Sequence, residues 1–91
     1  DPAIDLAVIA ALTSSYNDMP VSSKVAFAAE VGLSGEVRAV NRIDQRISEA
    51  DKLGFEKIYI SKFNQKLDTQ KFGIKIITIS RVQQLMEELF G

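Results

Sequence analysis

A short turn bracketed by two glycines is the feature that most constrains the fold of this chain. Residues 24–31 place apolar side chains at every second position, and Glu36–Val40 resumes the alternation after the turn. Gly32 and Gly35 stand at the two ends of the turn, where glycine readily adopts the positive φ that such turns often need. The pattern therefore predicts a β-hairpin.

An amphipathic helix is predicted directly after the hairpin, from Arg42 to Leu53. Asn41 is the expected N-cap, and Gly54 is expected to end the helix in a left-handed conformation. The apolar residues recur at helical spacing and predict one stripe facing a sheet, while the charged residues between them face elsewhere. That stripe comprises Ile43, Ile47, Ala50 and Leu53.

The first helix is predicted to start with Asp1 as N-cap and Pro2 as first helical residue, and to run to about Ser15. It has almost no polar stripe, so we expect it to be covered on most sides. Asp5 is the exception, and we expect its carboxylate to make a buried structural hydrogen bond near the helix start.

Two strands, Lys57–Ile60 and Ile74–Ile79, are predicted on either side of a polar stretch, 61–73, that is too long for a simple hairpin. Ser80 and Gln83 form a predicted capping box for a last helix. The expected buried stripe of that helix is Val82, Leu85, Met86 and Leu89. The order of elements predicts an α/β (α+β) fold, a mixed sheet with a hairpin and a right-handed strand–helix–strand crossover.

Composition excludes several kinds of chemistry. Ninety-one residues with 46% hydrophobic content suit one globular domain, residues 1–91. There is no cysteine and no histidine, which excludes disulfides, thiolate nucleophiles, imidazole bases and the usual zinc ligands. Only metals bound by oxygen ligands remain conceivable, and we expect no metal or cofactor in this chain. The apolar run Ile4–Leu12 is too short to span a bilayer, and we expect a cytoplasmic protein without membrane contact.

Positive charge is concentrated in the middle of the chain. Residues 38–81 contain ten lysines and arginines against five acidic residues, although the net charge of the whole chain is −1. This distribution fits either a solvated lysine surface or a face that binds nucleic acid.

Several segments together resemble the Lon-protease-like domain of the RadA (Sms) family of bacterial DNA-repair proteins, and their spacing is also similar. The matching segments are 1–7, Met19–Pro20–Val21, Glu30–Arg38, Arg42–Ile47, Glu49–Ala50 and Leu53–Phe55. The resemblance implies a Lon protease C-terminal-like fold, of the ribosomal protein S5 domain 2-like type. It also implies that residues 1–91 are the C-terminal part of such a domain in a longer protein.

Lon proteases cleave peptides with a serine activated by a lysine. By the resemblance, the serine position is occupied by Ala3 and the lysine position by Asp44, so both members of the dyad are lost and we expect no enzyme activity from this chain. The alternative is an active Lon-type serine peptidase with a displaced dyad. Ser34 and Lys52 are the nearby candidates, and Ser34 otherwise serves as a turn residue.

The resemblance implies a parent protein that hydrolyses ATP, binds Mg and Zn outside these residues, and acts as a hexameric ring on DNA recombination intermediates. In such a protein this chain would be a noncatalytic module for assembly and weak contact with the DNA backbone. The candidate phosphate contacts are Arg38, Arg42, Arg46 and Lys57.

Two alternatives stay open for these basic residues. Arg42 and Arg46 could instead pair with the carboxylates of Asp44, Glu49 and Asp51 on the same helix. The whole chain could also be a purely structural oligomerisation domain without DNA contact.

Overall fold

The computed structural model describes residues 3–64 and 67–91, and in this part of the chain it has three α-helices and two three-stranded sheets. The predicted α/β (α+β) class is confirmed, but the hairpin and the parallel strands lie in separate sheets. In chain order the elements are β1 (Ile4–Asp5), α1 (Leu6–Asn17), β2 (Val25–Ala28), β3 (Glu30–Val31), β4 (Val37–Arg38), α2 (Ile43–Lys52), β5 (Lys57–Ser61), a 3-10 helix (Thr69–Lys71), β6 (Lys75–Ile79) and α3 (Val82–Phe90).

The smaller sheet is antiparallel, in the order β1-β3-β4, and it contains the predicted hairpin. Val31 pairs with Val37 across the hairpin. The turn closes where the Gly35 N–H donates to the Gly32 carbonyl oxygen at 3.0 Å. Gly35 has a φ of +83°, a backbone conformation that favours glycine. The predicted positive φ in this turn is therefore confirmed at Gly35.

The larger sheet is parallel, in the order β2-β5-β6. The single strand predicted over 24–31 is wrong, because it divides into β2 and β3, which join different sheets. Ala29 lies between them, is buried, and its carbonyl oxygen accepts the Leu6 N–H at 2.9 Å. That bond ties the chain to the start of α1 at the point where β2 leaves its sheet.

The parallel sheet is covered on both faces. The residues Ile58 and Ile60 of β5 face α2, and Tyr59 between them faces α1 and α3. All three are at most 3% exposed. The ring of Phe27 on β2 stacks on the Tyr59 ring with centroids 5.8 Å apart, so the partly buried Phe27 packs against the buried Tyr59 in this core.

The first helix starts later than predicted, at Leu6, and Asp5 is its N-cap. The Asp5 carboxylate accepts the Ala7 N–H at 2.8 Å. The predicted hydrogen bond is therefore confirmed, but its predicted burial is wrong because Asp5 is exposed. The predicted cap at Asp1 and the proline at position 2 fall outside the described residues.

One side of α1 is exposed, contrary to the prediction that the helix is covered on most sides. Leu6 and Ala10 are buried, whereas Leu12 is 63% and Tyr16 is 89% exposed. The described part of the chain supplies a packing layer for only one side of this helix. The exposed apolar residues of this region, called the α1 stripe below, are Val8, Leu12 and Tyr16 of the helix together with Ile4 before it and Met19 after it.

The second helix departs from prediction at both ends. Arg42, and not Asn41, is the N-cap, with a left-handed φ of 57° and no side-chain capping bond. Leu53, predicted to be buried, is 77% exposed because the helix ends at Lys52. Ile47 and Ala50 are buried and Ile43 is half-buried, as predicted.

Gly54 ends α2 as predicted, with a φ of +90°. Its N–H donates to the Asp51 carbonyl oxygen and the Phe55 N–H donates to the Ala50 carbonyl oxygen, both at 3.1 Å. These two bonds form a Schellman motif, which satisfies two carbonyl groups at the end of the helix.

The predicted capping box of α3 is wrong by one residue. Arg81 is the N-cap, and the Gln84 Oε1 atom accepts the N–H groups of Ser80 at 2.7 Å and Arg81 at 2.9 Å. Leu85 is fully buried, and the other three residues of the predicted stripe are partly buried in the same core. In the stretch 61–73, residues 65 and 66 fall outside the described residues.

Replacement of Gly54 by alanine (Gly54→Ala) is expected to lower the free energy of unfolding by about 1 kcal/mol, because a Cβ atom strains a left-handed residue even in open space. Urea unfolding monitored by circular dichroism measures the loss. Gly73→Ala is the matched control, because Gly73 lacks a positive φ and the added Cβ would lie 3.5 Å from Asp51 Oδ1, an ordinary contact. Equal losses of unfolding free energy in both variants would contradict the role of Gly54 as the left-handed residue that ends α2.

Candidate functional site

The two positions that the resemblance assigns to the peptidase dyad carry no nucleophile and no amine. Ala3 lies directly before β1 and is half-buried. Asp44 is exposed in the first turn of α2, where a carboxylate interacts favourably with the helix dipole. The methyl group of Ala3 has no atom that could attack a carbonyl carbon.

Ser34, the candidate for a displaced nucleophile, is engaged in the hairpin turn. Its hydroxyl donates to Glu36 Oε1 at 2.6 Å, and its N–H donates to the same oxygen at 3.2 Å. Its carbonyl oxygen accepts a hydrogen bond from the Arg81 guanidinium. Lys52, the other candidate, is exposed at the far end of α2. The contacts of Ser34 are those of a turn residue.

Glu36 holds this turn together. The Arg38 Nε and Nη2 atoms donate to Glu36 Oε2 at 3.1 and 2.8 Å. The Ser34 hydrogen bond, followed by the Arg38 hydrogen bonds, lowers the pKa of Glu36 from 4.5 to about 2. A Cβ atom on Gly32 would clash with Glu36 Oε2, so glycine leaves the space that this carboxylate occupies.

Arg38 therefore differs from the other two candidate arginines, Arg42 and Arg46, because its guanidinium group already donates hydrogen bonds to Glu36. Its side chain is 31% exposed and two of its N–H donors are committed to Glu36. The guanidinium group stabilises the hairpin in the structure as it stands.

Arg42 and Arg46 are brought together on α2. Both are exposed, and the Arg46 N–H donates to the Arg42 carbonyl oxygen at 3.1 Å, which places them one helical turn apart. Within residues 3–64 and 67–91, no ion pair links either arginine to a carboxylate of α2. The Asp51 carboxylate instead accepts the Gly73 N–H at 3.1 Å. The alternative that Arg42 and Arg46 pair with carboxylates of the same helix is therefore not seen among the described residues.

Lys57 lies at a separate place, the start of β5, and is exposed. In register it stands beside Lys75, the first residue of β6, which is also exposed. Lys24 directly precedes β2 and pairs with Glu56 at 3.5 Å. The sequence alone did not point to Lys24 and Lys75. Their placement follows from the parallel register of β2, β5 and β6, because the starts of these strands lie at the same end of the sheet and bring Lys24, Lys57 and Lys75 to that end.

In the described ranges, no group of three or more acidic, histidine or cysteine side chains is placed to hold a metal ion. None of the helices described has the length and apolar character needed to cross a membrane.

Comparison with known proteins gives one consistent result. Residues 1–91 match the family of the Lon protease (S16) C-terminal proteolytic domain. The chain is 47% identical over 91 residues to the DNA repair protein RadA of Streptococcus pneumoniae, and 47% identical over 92 residues to that of Streptococcus pyogenes serotype M1. It is 42% identical over 91 residues to RadA of Bacillus subtilis.

Each of these three matches covers 100% of the chain but only 20 to 22% of the relative. The chain therefore spans about a fifth of the length of the curated relatives it matches.

The Glu36→Gln variant is expected to be less stable than the unchanged chain near neutral pH, and this difference should shrink as the pH falls. Because the pKa of Glu36 is about 2 in the folded chain and 4.5 as a reference, its ionised form stabilises the fold above pH 4.5 and this contribution is lost between pH 4.5 and about 2. Urea unfolding across this range measures the difference.

Glu87→Gln serves as control, because the Glu87 carboxylate is exposed on α3 and makes no hydrogen bond within the described residues. A stability difference for Glu36→Gln that does not change with pH would contradict the role of the ionised carboxylate.

Proposed function

Because the chain belongs to the family of Lon protease (S16) C-terminal proteolytic domains, we propose that it keeps the scaffold of that family without its peptidase chemistry. The proposed role is a noncatalytic assembly and DNA-contact module of a larger DNA-repair protein. The proposal rests on Ala3 and Asp44, which put a methyl group and a carboxylate at the two positions that the resemblance assigns to nucleophile and base.

The chemistry of the displaced candidates supports the noncatalytic role. The Ser34 hydroxyl donates to the Glu36 carboxylate and not to an amine. A carboxylate with a pKa of about 2 is too weak a base to remove a hydroxyl proton efficiently. A peptidase based on Ser34 would therefore need a different partner and a rearranged turn.

Contact with DNA is proposed from the relatives and from the surface of α2. The relatives are named as DNA repair proteins, and both Arg42 and Arg46 are exposed. The planar guanidinium fork of arginine suits phosphate oxygens. Lys57 adds positive charge at the start of β5, whereas the Nε and Nη2 atoms of Arg38 already donate to Glu36. Contact of this kind rests on few phosphates, so it should be weak and sensitive to salt.

The assembly role is supported by the α1 stripe. Val8, Leu12 and Tyr16 lie four residues apart on α1 and are exposed. Covering such apolar surface with a neighbour stabilises an assembly by about 25 cal/mol per Å² removed from water. We propose that the full-length protein covers this face while forming a hexameric ring in the cytoplasm. ATP, Mg and Zn would bind to that protein outside residues 1–91.

Reversal of both helical charges, Arg42→Glu with Arg46→Glu, is expected to weaken binding of the chain to duplex DNA. Because two phosphate contacts are lost, the slope of log affinity against log salt concentration should fall in magnitude by about 2. Fluorescence anisotropy of a labelled duplex at several salt concentrations measures both quantities.

The charge-matched control is Lys62→Glu with Lys71→Glu, two exposed lysines outside the candidate set. An equal loss in the control would mean that only net charge matters. Unchanged binding by the arginine variant would remove Arg42 and Arg46 from the interface.

Deletion of these 91 residues from the full-length protein is expected to abolish the hexamer and to lower DNA affinity per subunit. The reason is that the proposed module supplies contacts between subunits and contacts with DNA. Analytical ultracentrifugation gives the oligomer size, and anisotropy gives the affinity. Loss of hexamers with unchanged DNA affinity per subunit would favour the purely structural oligomerisation domain. Hexamers that persist after deletion would contradict the assembly role.

A further inference from the structure

Arg42 has a backbone conformation that arginine rarely adopts. Its φ of 57° and ψ of 42° lie in the left-handed region, where a Cβ atom comes too close to the following carbonyl oxygen. Within residues 3–64 and 67–91, the other non-glycine residue with a positive φ is Asp18, whose short polar side chain tolerates this region better. The left-handed turn at Arg42 is therefore stable only if contacts elsewhere hold it.

The Arg42 side chain does not provide these contacts. It is exposed, makes no capping hydrogen bond and, in the described part of the chain, forms no ion pair. Glycine would fit the same backbone without strain. Strained residues of this kind are concentrated at functional sites, where the surrounding structure holds them in place.

The contacts that hold this turn come from Asn64, in the segment that follows β5. The Asn64 Nδ2 atom donates to the Val40 carbonyl oxygen at 2.9 Å, and the Val40 N–H donates to Asn64 Oδ1 at 3.4 Å. Both residues are half-buried. One side-chain amide thus satisfies both backbone groups of Val40, as a neighbouring strand would.

Val40 lies in the short link between β4 and α2, residues 39–42. The amide pair therefore fixes the chain two residues before Arg42. The second helix has no side-chain cap of its own at this end. Asn64, 24 residues away from Val40, does from a distance what a capping side chain does locally, because it sets the path of the chain into the helix.

Asn64 is itself anchored to the end of β5. Its N–H donates to the Ser61 carbonyl oxygen at 3.1 Å, and the N–H of the intervening Phe63 donates to the Ser61 hydroxyl at 3.0 Å. Ser61 is fully buried. The start of α2 is therefore fixed relative to the central strand of the parallel sheet.

We infer that Asn64 is a positioning residue for the Arg42 guanidinium group. Its amide pair with Val40 holds the left-handed turn and so keeps Arg42 beside Arg46, where both can contact the same DNA backbone. Without the pair, Arg42 relaxes to the right-handed or extended conformations that arginine prefers, and its side chain leaves this place. The inference rests on the proposed DNA contact and adds to it a residue that touches no DNA.

The test is a double-mutant cycle between Asn64→Ala and Arg42→Gln, with affinity for duplex DNA measured by fluorescence anisotropy on chains shown to be folded by circular dichroism. Each single variant is expected to bind about fivefold more weakly, because one charge-assisted contact is lost. The double variant should bind no more weakly than Arg42→Gln alone, because Asn64 acts through Arg42. A merely structural role of Asn64 would lower the affinity in both backgrounds.

Asn17→Ala is the matched control, because Asn17 is exposed at the end of α1 and its side chain makes no hydrogen bond within the described residues. Its affinity should equal that of the unchanged chain. Asn64→Asp gives the same cycle if the alanine variant does not fold. Aspartate keeps the size of the side chain and the Oδ1 acceptor but, when ionised, cannot donate to the Val40 carbonyl oxygen.

The outcomes separate this inference from the proposed function. If Arg42→Gln weakens binding and Asn64→Ala does not, the positioning role is overturned and the DNA contact stands. An equal loss caused by Asn64→Ala with and without Arg42→Gln also overturns the positioning role, since the effect then does not pass through Arg42. If Arg42→Gln leaves the affinity unchanged, the proposed contact at Arg42 is wrong and the inference falls with it.

Discussion

The structure depends on the burial of β5 on both of its faces. Ile58 and Ile60 pack toward α2, and Tyr59 packs toward α1 and α3, while β2 and β6 pair with the two edges of the strand. Both hydrophobic core clusters therefore include residues of this one strand. Burial, followed by the negative charge of nearby Glu88, raises the pKa of the Tyr59 hydroxyl. Tyr59 consequently stays neutral in the core at physiological pH.

The end of β5 also joins the two sheets. The buried Ser61 hydroxyl donates to the Val37 carbonyl oxygen of the hairpin at 2.9 Å and accepts the Phe63 N–H at 3.0 Å. This arrangement fixes the hairpin, with Ser34 and Glu36, relative to the parallel sheet. The same strand supports α2 and thereby sets the outward position of Arg42 and Arg46. The scaffold that would hold a peptidase dyad is thus maintained by core contacts that do not involve the dyad positions.

Local patterns predicted the elements whose determinants are close in sequence. The hairpin, the strands β5 and β6 and the glycine end of α2 follow from alternation and from the positive φ that Gly54 adopts. The start of α1 was mispredicted because β1 pairs with β3, which joins Ile4 to Val31 and Asp5 to Glu30. This long-range pairing overrides the local signal at Asp1 and Pro2. Two further features also depend on long-range topology. These are the division of the predicted strand over 24–31 into two strands, and the register that sets Lys57 of β5 beside Lys75 of β6. For the candidate site, the resemblance supplied Ala3 and Asp44, whereas the commitment of Arg38 to Glu36 required coordinates.

The proposal that the chain is noncatalytic is tested most directly by hydrolysis of fluorescein-labelled casein, with an active Lon-type protease as positive control. The account predicts no release of fluorescent peptides above the buffer rate at any concentration of the chain. Release that rises with the concentration of the chain and disappears in the Ser34→Ala variant would contradict it, because it would place a working nucleophile in the hairpin turn.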